Sequence, residues 1–173
     1  MSHLTDALRA ATATVLMGSF AFAGTATATA DPNTGSSADI NMLAGSLSKG
    51  YSLNNCAPQQ APSGALAYIQ CGQSPDPSGP AMGRYFLFSD GDDLAAAFKS
   101  MISDRTLTDC GDTRSPTSWH QGSVTGNGGS VACGTFQNAA EITWTTDAKN
   151  VLSLIRASNG DVPSLYQWWR TKG

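Results

Sequence analysis

The chain has 173 residues and a formal net charge of −3, and only 13% of its residues are Asp, Glu, Lys or Arg. That charge fraction is about half the usual quarter. A mildly acidic chain has no electrostatic reason to bind nucleic acid or an anionic membrane. Gly, Ser, Thr and Asn stand where charges usually would, which favours turns and strands over long surface helices.

The N-terminus reads as an export signal. Arg9 precedes an apolar run, Ala10 to Ala23, and small residues then lead to Ala28-Thr29-Ala30 and Asp31-Pro32. A charged start, a short apolar segment and an A-x-A site form the pattern of a secretory signal peptide. The run is shorter than the ~20 residues a membrane span needs. We therefore expect a signal peptide over 1–30 with cleavage before Asp31, a polar leader over 31–36, and one domain over 37–173. No later run approaches membrane-spanning length, so the processed chain is expected to be secreted and unanchored.

A first helix is expected at 37–48. Ser36 and Asp39 resemble a capping box, and Ile40, Leu43 and Leu47 recur at helical spacing. A loop follows, then a buried strand at 65–71. After a proline-rich loop, Arg84 to Phe88 reads as a second, aromatic strand. Ser89 or Asp90 caps a helix at 91–103, whose core face is Leu94, Phe98, Met101 and Ile102. Four short strands are expected at 118–125, 129–136, 139–146 and 150–157, with Asn127-Gly128 as a hairpin signal. A last helix starts near Asp161, with Pro163 in its first turn. Strands joined by tight turns predict an α+β fold, an antiparallel sheet of five or six strands with three helices mainly on one face.

Four cysteines, Cys56, Cys71, Cys110 and Cys133, read as two disulfides in an exported chain. Of three possible pairings, Cys56–Cys71 with Cys110–Cys133 is favoured, because each ties neighbouring segments. A zinc site lacks support: there is no C-x-x-C, and His120 is the one histidine after the signal segment. No metal or other cofactor is expected.

The candidate chemistry is sparse. His120 is the one available base for a nucleophile, and Gly128-Gly129-Ser130-Val131-Ala132 is not the G-x-S-x-G elbow. Asp90, Asp92 and Asp93 lack the alternation and the distal Glu of a calcium loop, and read as a helix cap with dipole-complementing acids. Glu141 is the one glutamate in the chain, so paired carboxylates for glycoside hydrolysis are not visible, and an Asp pair assembled in space has no spacing to support it. Trp119, Trp144, Trp168 and Trp169 remain. Aromatics in an extracytoplasmic domain stack on sugars or anchor partners as well as filling cores. Leu165 and Trp169, with Val162, share one helix face and are expected to seat the last helix. Trp168, rotated by about 100°, is expected nearer the edge. Trp168, Trp119 and Tyr166 are the candidate ligand-binding residues.

Trp119, Gly129-Ser-Val-Ala-Cys-Gly134, Ile142-Thr-Trp144-Thr, Val151-Leu152 and Leu165-Tyr-Gln-Trp168-Trp169 follow in one order. This cadence resembles the extracytoplasmic C-terminal tail of actinobacterial, in particular mycobacterial, serine/threonine protein kinases and related small secreted proteins. It covers 119–169 most firmly and 38–173 loosely. The resemblance implies a sensor-like module. It implies no kinase activity, since the Gly-rich loop, H-R-D and D-F-G motifs are absent. The expectation is a secreted, non-enzymatic module that binds an envelope ligand or protein partner. The alternatives are a small envelope hydrolase or a structural, antigenic protein.

Overall fold

The computed structural model describes residues 34–120 and 126–173. The expected signal peptide and cleavage site, and residues 121–125 of the strand expected at 118–125, lie outside the described residues.

Three helices and one antiparallel sheet form in the order α1 (Ser37–Ala44), β1 (Cys56–Gln59), β2 (Ala65–Cys71), β3 (Met82–Phe88), α2 (Gly91–Ile102), β4 (Thr106–Thr108), β5 (Thr117–Trp119), β6 (Gly129–Phe136), β7 (Ala139–Thr146), β8 (Val151–Arg156) and α3 (Val162–Lys172). The strand order is β1-β2-β3-β8-β7-β6-β4, with β5 also paired to β6. The fold is thus α+β as expected, but the sheet has eight strands rather than five or six. The two missed strands are short. Cys56–Gln59 contains Pro58, and Thr106–Thr108 is exposed throughout, so neither shows an alternating apolar pattern.

The helices divide between the two faces. Ile40 and Leu43 of α1 and Val162, Leu165, Trp168 and Trp169 of α3 join one core with Ile69, Tyr85, Ile142, Trp144 and Ile155 of the sheet. Leu94 and Phe98 of α2 cover Phe86, Phe88, Ala132 and Leu152 on the opposite face. The period-2 alternation of β3, β6, β7 and β8 supplies both faces, which is why these strands are buried almost throughout. Helix α1 is shorter than the expected 37–48. It stops at Gly45, whose N–H bonds Asn41 O and Leu43 O, and Gly50 terminates nothing helical.

Both disulfides follow the favoured pairing, Cys56–Cys71 and Cys110–Cys133. The first joins residues directly opposite on β1 and β2. The second ties the segment after β4 to β6. Close approach there requires glycine: a Cβ on Gly134 would stand 2.5 Å from Thr106 O. No described helix is long and apolar enough to cross a membrane.

Candidate functional site

Helix α2 starts because Asp90 caps it. The Asp90 carboxylate accepts hydrogen bonds from the N–H groups of Asp92 and Asp93, both at 3.0 Å, and Asp93 accepts one from the Ser89 hydroxyl. These are the capping contacts the sequence implied. Among the described residues no three His, Cys, Asp or Glu side chains are grouped to hold a metal.

Capped there, α2 crosses the sheet and leaves a groove of about 720 Å³ between itself and β5. Leu94, Ala95, Phe98 and Ile102 form its apolar helix wall. Thr117, Ser118, Ser130, Thr145 and Asp147 form a polar strand wall, and Lys99 stands on the helix side. The polar wall is hydrogen-bonded in series. Ser130 N–H donates to Thr145 Oγ1 at 2.9 Å, and Thr145 Oγ1 donates to Asp147 Oδ1 at 2.6 Å. From behind, the Trp119 indole N–H donates to Thr145 O at 2.8 Å and fixes the end of β5. The groove therefore offers an apolar surface facing oriented hydroxyls and one carboxylate, an arrangement suited to a ligand with one apolar side and one polar edge.

The aromatic candidates separate into two places. Trp119 and Tyr166, both half-buried, converge on buried Trp169. Their ring centroids lie 5.8 Å and 5.5 Å from it, edge-on and stacked respectively, and Trp144 approaches from the sheet at 5.9 Å. Trp168 lies elsewhere and corrects the expected facing. It is 6% exposed against 7% for Trp169, so it is not an edge residue. The cause is the loop between β2 and β3. Asp76 of that loop reaches α3, and the Trp168 indole N–H donates to Asp76 Oδ2 at 3.2 Å. Only a rim of Trp168 reaches the shallow depression it shares with Asp76, Gln167 and Lys172. Hydrogen bonds from Ser78, then from Trp168, hold the Asp76 carboxyl below its ordinary range, with Lys172 adding to the effect.

His120 is exposed, and its Nδ1 lies 2.9 Å from Gly126 O. Among the described residues no carboxylate pairs with it.

The sequence reading missed one polar constellation. Glu141 on β7 is 4% exposed and accepts a hydrogen bond from Arg105 Nε at 3.0 Å, with Arg156 Nε at 3.7 Å. Arg105 also pairs with Asp104. Both guanidinium groups lie over the Phe136 ring, at 4.5 Å and 5.5 Å. The available signal was a lone glutamate inside a strand with no other charged residue, since a buried charge requires a partner. The register then pairs Glu141 with Arg156.

No family model, curated protein or solved structure matches the chain.

Proposed function

We propose that this chain is a secreted, non-enzymatic binding module of the cell envelope, of the sensor-like kind that its C-terminal cadence resembles. The observation that carries this reading is the groove between α2 and β5. Its apolar helix wall and hydrogen-bonded polar strand wall face one another across a space of about 720 Å³. Two disulfides support an oxidising location. In this reading the ligand lies along α2 and hydrogen-bonds to Ser130 and Asp147, while Trp119 positions Thr145 from behind. Tyr166 braces Trp169 beneath the same end of the sheet. Trp168, committed to Asp76, takes no part.

The test is a thermal-shift screen of the purified, oxidised protein against peptidoglycan fragments, envelope glycans and lipids. Ala95→Trp runs in parallel, because Ala95 is exposed and a Trp there fills the groove without entering the core. A ligand at 100 times its dissociation constant adds about 2.7 kcal/mol of stability. One class should raise the melting temperature of the parent and leave that of Ala95→Trp unchanged. No rise with any class, or an equal rise in both proteins, overturns the reading.

A further inference from the structure

The two flanks of α2 differ in how their charges are used. The far flank carries a second groove of about 510 Å³, lined by Phe86, Phe88 and Met101, and its charged side chains, Arg105 and Asp104, pair with each other. The groove between α2 and β5 is lined by two charges that remain open, Lys99 and Asp147. Lys99 is exposed and makes no ion pair with any described residue. Asp147 is exposed too, and its Oδ1 accepts from the Thr145 hydroxyl, which leaves the other carboxylate oxygen to a ligand.

The two charges stand toward opposite ends of the groove. Asp147 opens the turn between β7 and β8, and that turn lies against the start of α2, where Asn150 Nδ2 donates to Ser89 O at 3.3 Å. Gly91, the first residue of α2, lines the groove at this end. Lys99 lies in the last turn of α2. The helix rises about 12 Å between Gly91 and Lys99, at 1.5 Å per residue. Between these ends the strand wall offers hydroxyls. Ser118 and Ser130 stand directly opposite one another on β5 and β6 and both line the groove. Neither hydroxyl is hydrogen-bonded to a described residue. A hydroxyl donates and accepts, so this wall can meet the N–H and C=O groups of an extended chain. Leu94, Ala95, Phe98 and Ile102 face it across the groove.

We propose that this groove binds a short, free, zwitterionic peptide, its ammonium on Asp147, its carboxylate on Lys99 and small apolar side chains against α2. The proposal rests on the reading of this groove as the ligand site and names the ligand's class. An extended chain covers about 3.3–3.6 Å per residue, so a span of about 12 Å takes about three or four residues. Opposite charges at the two ends complement a ligand charged oppositely at its own two ends. A neutral glycan would leave both charges unused, and a singly charged amphiphile would engage one alone. Among the classes screened above, peptidoglycan fragments with free peptide ends should therefore be the ones that bind.

The experiment is calorimetric titration of the full, oxidised protein with tetraalanine, and with the same peptide N-acetylated, C-amidated or both. Tetraalanine should bind saturably at millimolar concentration or below. Acetylation should weaken binding to the parent about fivefold, as for an ion pair open to water, and should cost nothing further in Asp147→Asn. Amidation should behave in the same way against Lys99→Gln. Asparagine keeps an oxygen for the Thr145 hydroxyl, so Asp147→Asn removes the charge and leaves that contact. Ala95→Trp should abolish binding, while Ser100→Trp, exposed on the far flank, should leave it unchanged. Circular dichroism of each variant confirms folding. No saturable binding of tetraalanine, equal binding of the doubly blocked peptide, or an acetylation cost that persists in Asp147→Asn would each overturn the proposal. If tetraalanine fails while a glycan or lipid shifts the parent and not Ala95→Trp, the groove stands as the ligand site and the peptide alone falls. Tetraalanine binding equally to Ala95→Trp removes the proposal by placing the peptide elsewhere.

Discussion

Tyr85 is fully buried between α1 and the sheet, where its hydroxyl donates to Ser48 Oγ at 2.8 Å and accepts from Ser48 N–H at 3.4 Å. Burial raises its pKa to about 12, with the Ser48 hydrogen bonds opposing the rise. An unfolded tyrosine titrates near 10. The folded state therefore keeps its proton when the unfolded state has lost it. The stability that Tyr85 contributes is full below pH 10 and disappears as pH rises through about 12, at about 1.4 kcal/mol per pH unit. Urea unfolding at pH 9 and pH 11.5 should show this loss, and Tyr85→Phe should reduce it without abolishing it, because burial also raises the pKa of Tyr51 and Tyr68. At Glu141 the expectation is sharper. Glu141→Gln leaves Arg105 and Arg156 without their buried counter-charge and should cost about 3–5 kcal/mol. A cost below about 1 kcal/mol in chemical denaturation would show that the pair is not screened from water. At Trp168 the structure reverses the sequence expectation. Trp168→Ala should now cost about 3–5 kcal/mol, as much as Trp169→Ala, because both rings lie in the same core.

Elements with strong local signals were legible. Helix α2 has its Asp90 cap, its Leu94 and Phe98 stripe and its boundaries within one residue of expectation. Replacing Asp90 with Ala should cost about 0.5–2 kcal/mol, while millimolar calcium should leave the melting temperature unchanged; a calcium-dependent rise would turn the cap into a site. Strands β6, β7 and β8 were legible for the same reason, since turns with Asn138 and Asn150 at positive φ punctuate them. What could not be read was set by distant partners. Edge strands β1 and β4 are held by their neighbours and a disulfide rather than by their own pattern. The burial of Trp168 depends on Asp76, 92 residues earlier.

At the scale of the whole molecule, the cysteines were the firmest guide. Their even number and neighbouring spacing pointed to the two bridges that are present, whereas the expectation of three helices mainly on one face is corrected by α2, which packs on the face opposite α1 and α3. Two helices on one face and one on the other leave α2 alone on its side of the sheet, and its two open flanks are the grooves. Exported protein should begin at Asp31 and accept no alkylating reagent without prior reduction. Intact mass tests both, and either a retained segment 1–30 or a labelled thiol would contradict the expected processing. Reduction should remove about 2–4 kcal/mol per bridge, seen as a shift in the urea midpoint.

The seam between β3 and β8 joins Met82 to Arg156 and Leu87 to Val151. The two strands are neighbours in space, yet their paired residues lie 64 to 74 positions apart in sequence. The β1–β2–β3 meander pairs strands close in sequence, but the other side of β3 is completed only by the last strand. Pairing at such separation is slow, and the waiting edge is a template for any other extended chain. The β8–α3 segment of a second molecule is the best-matched of these. Refolding at rising concentration should therefore divert material into exchanged dimers in which two copies complete one another's sheets, whereas dilute refolding should return the monomer.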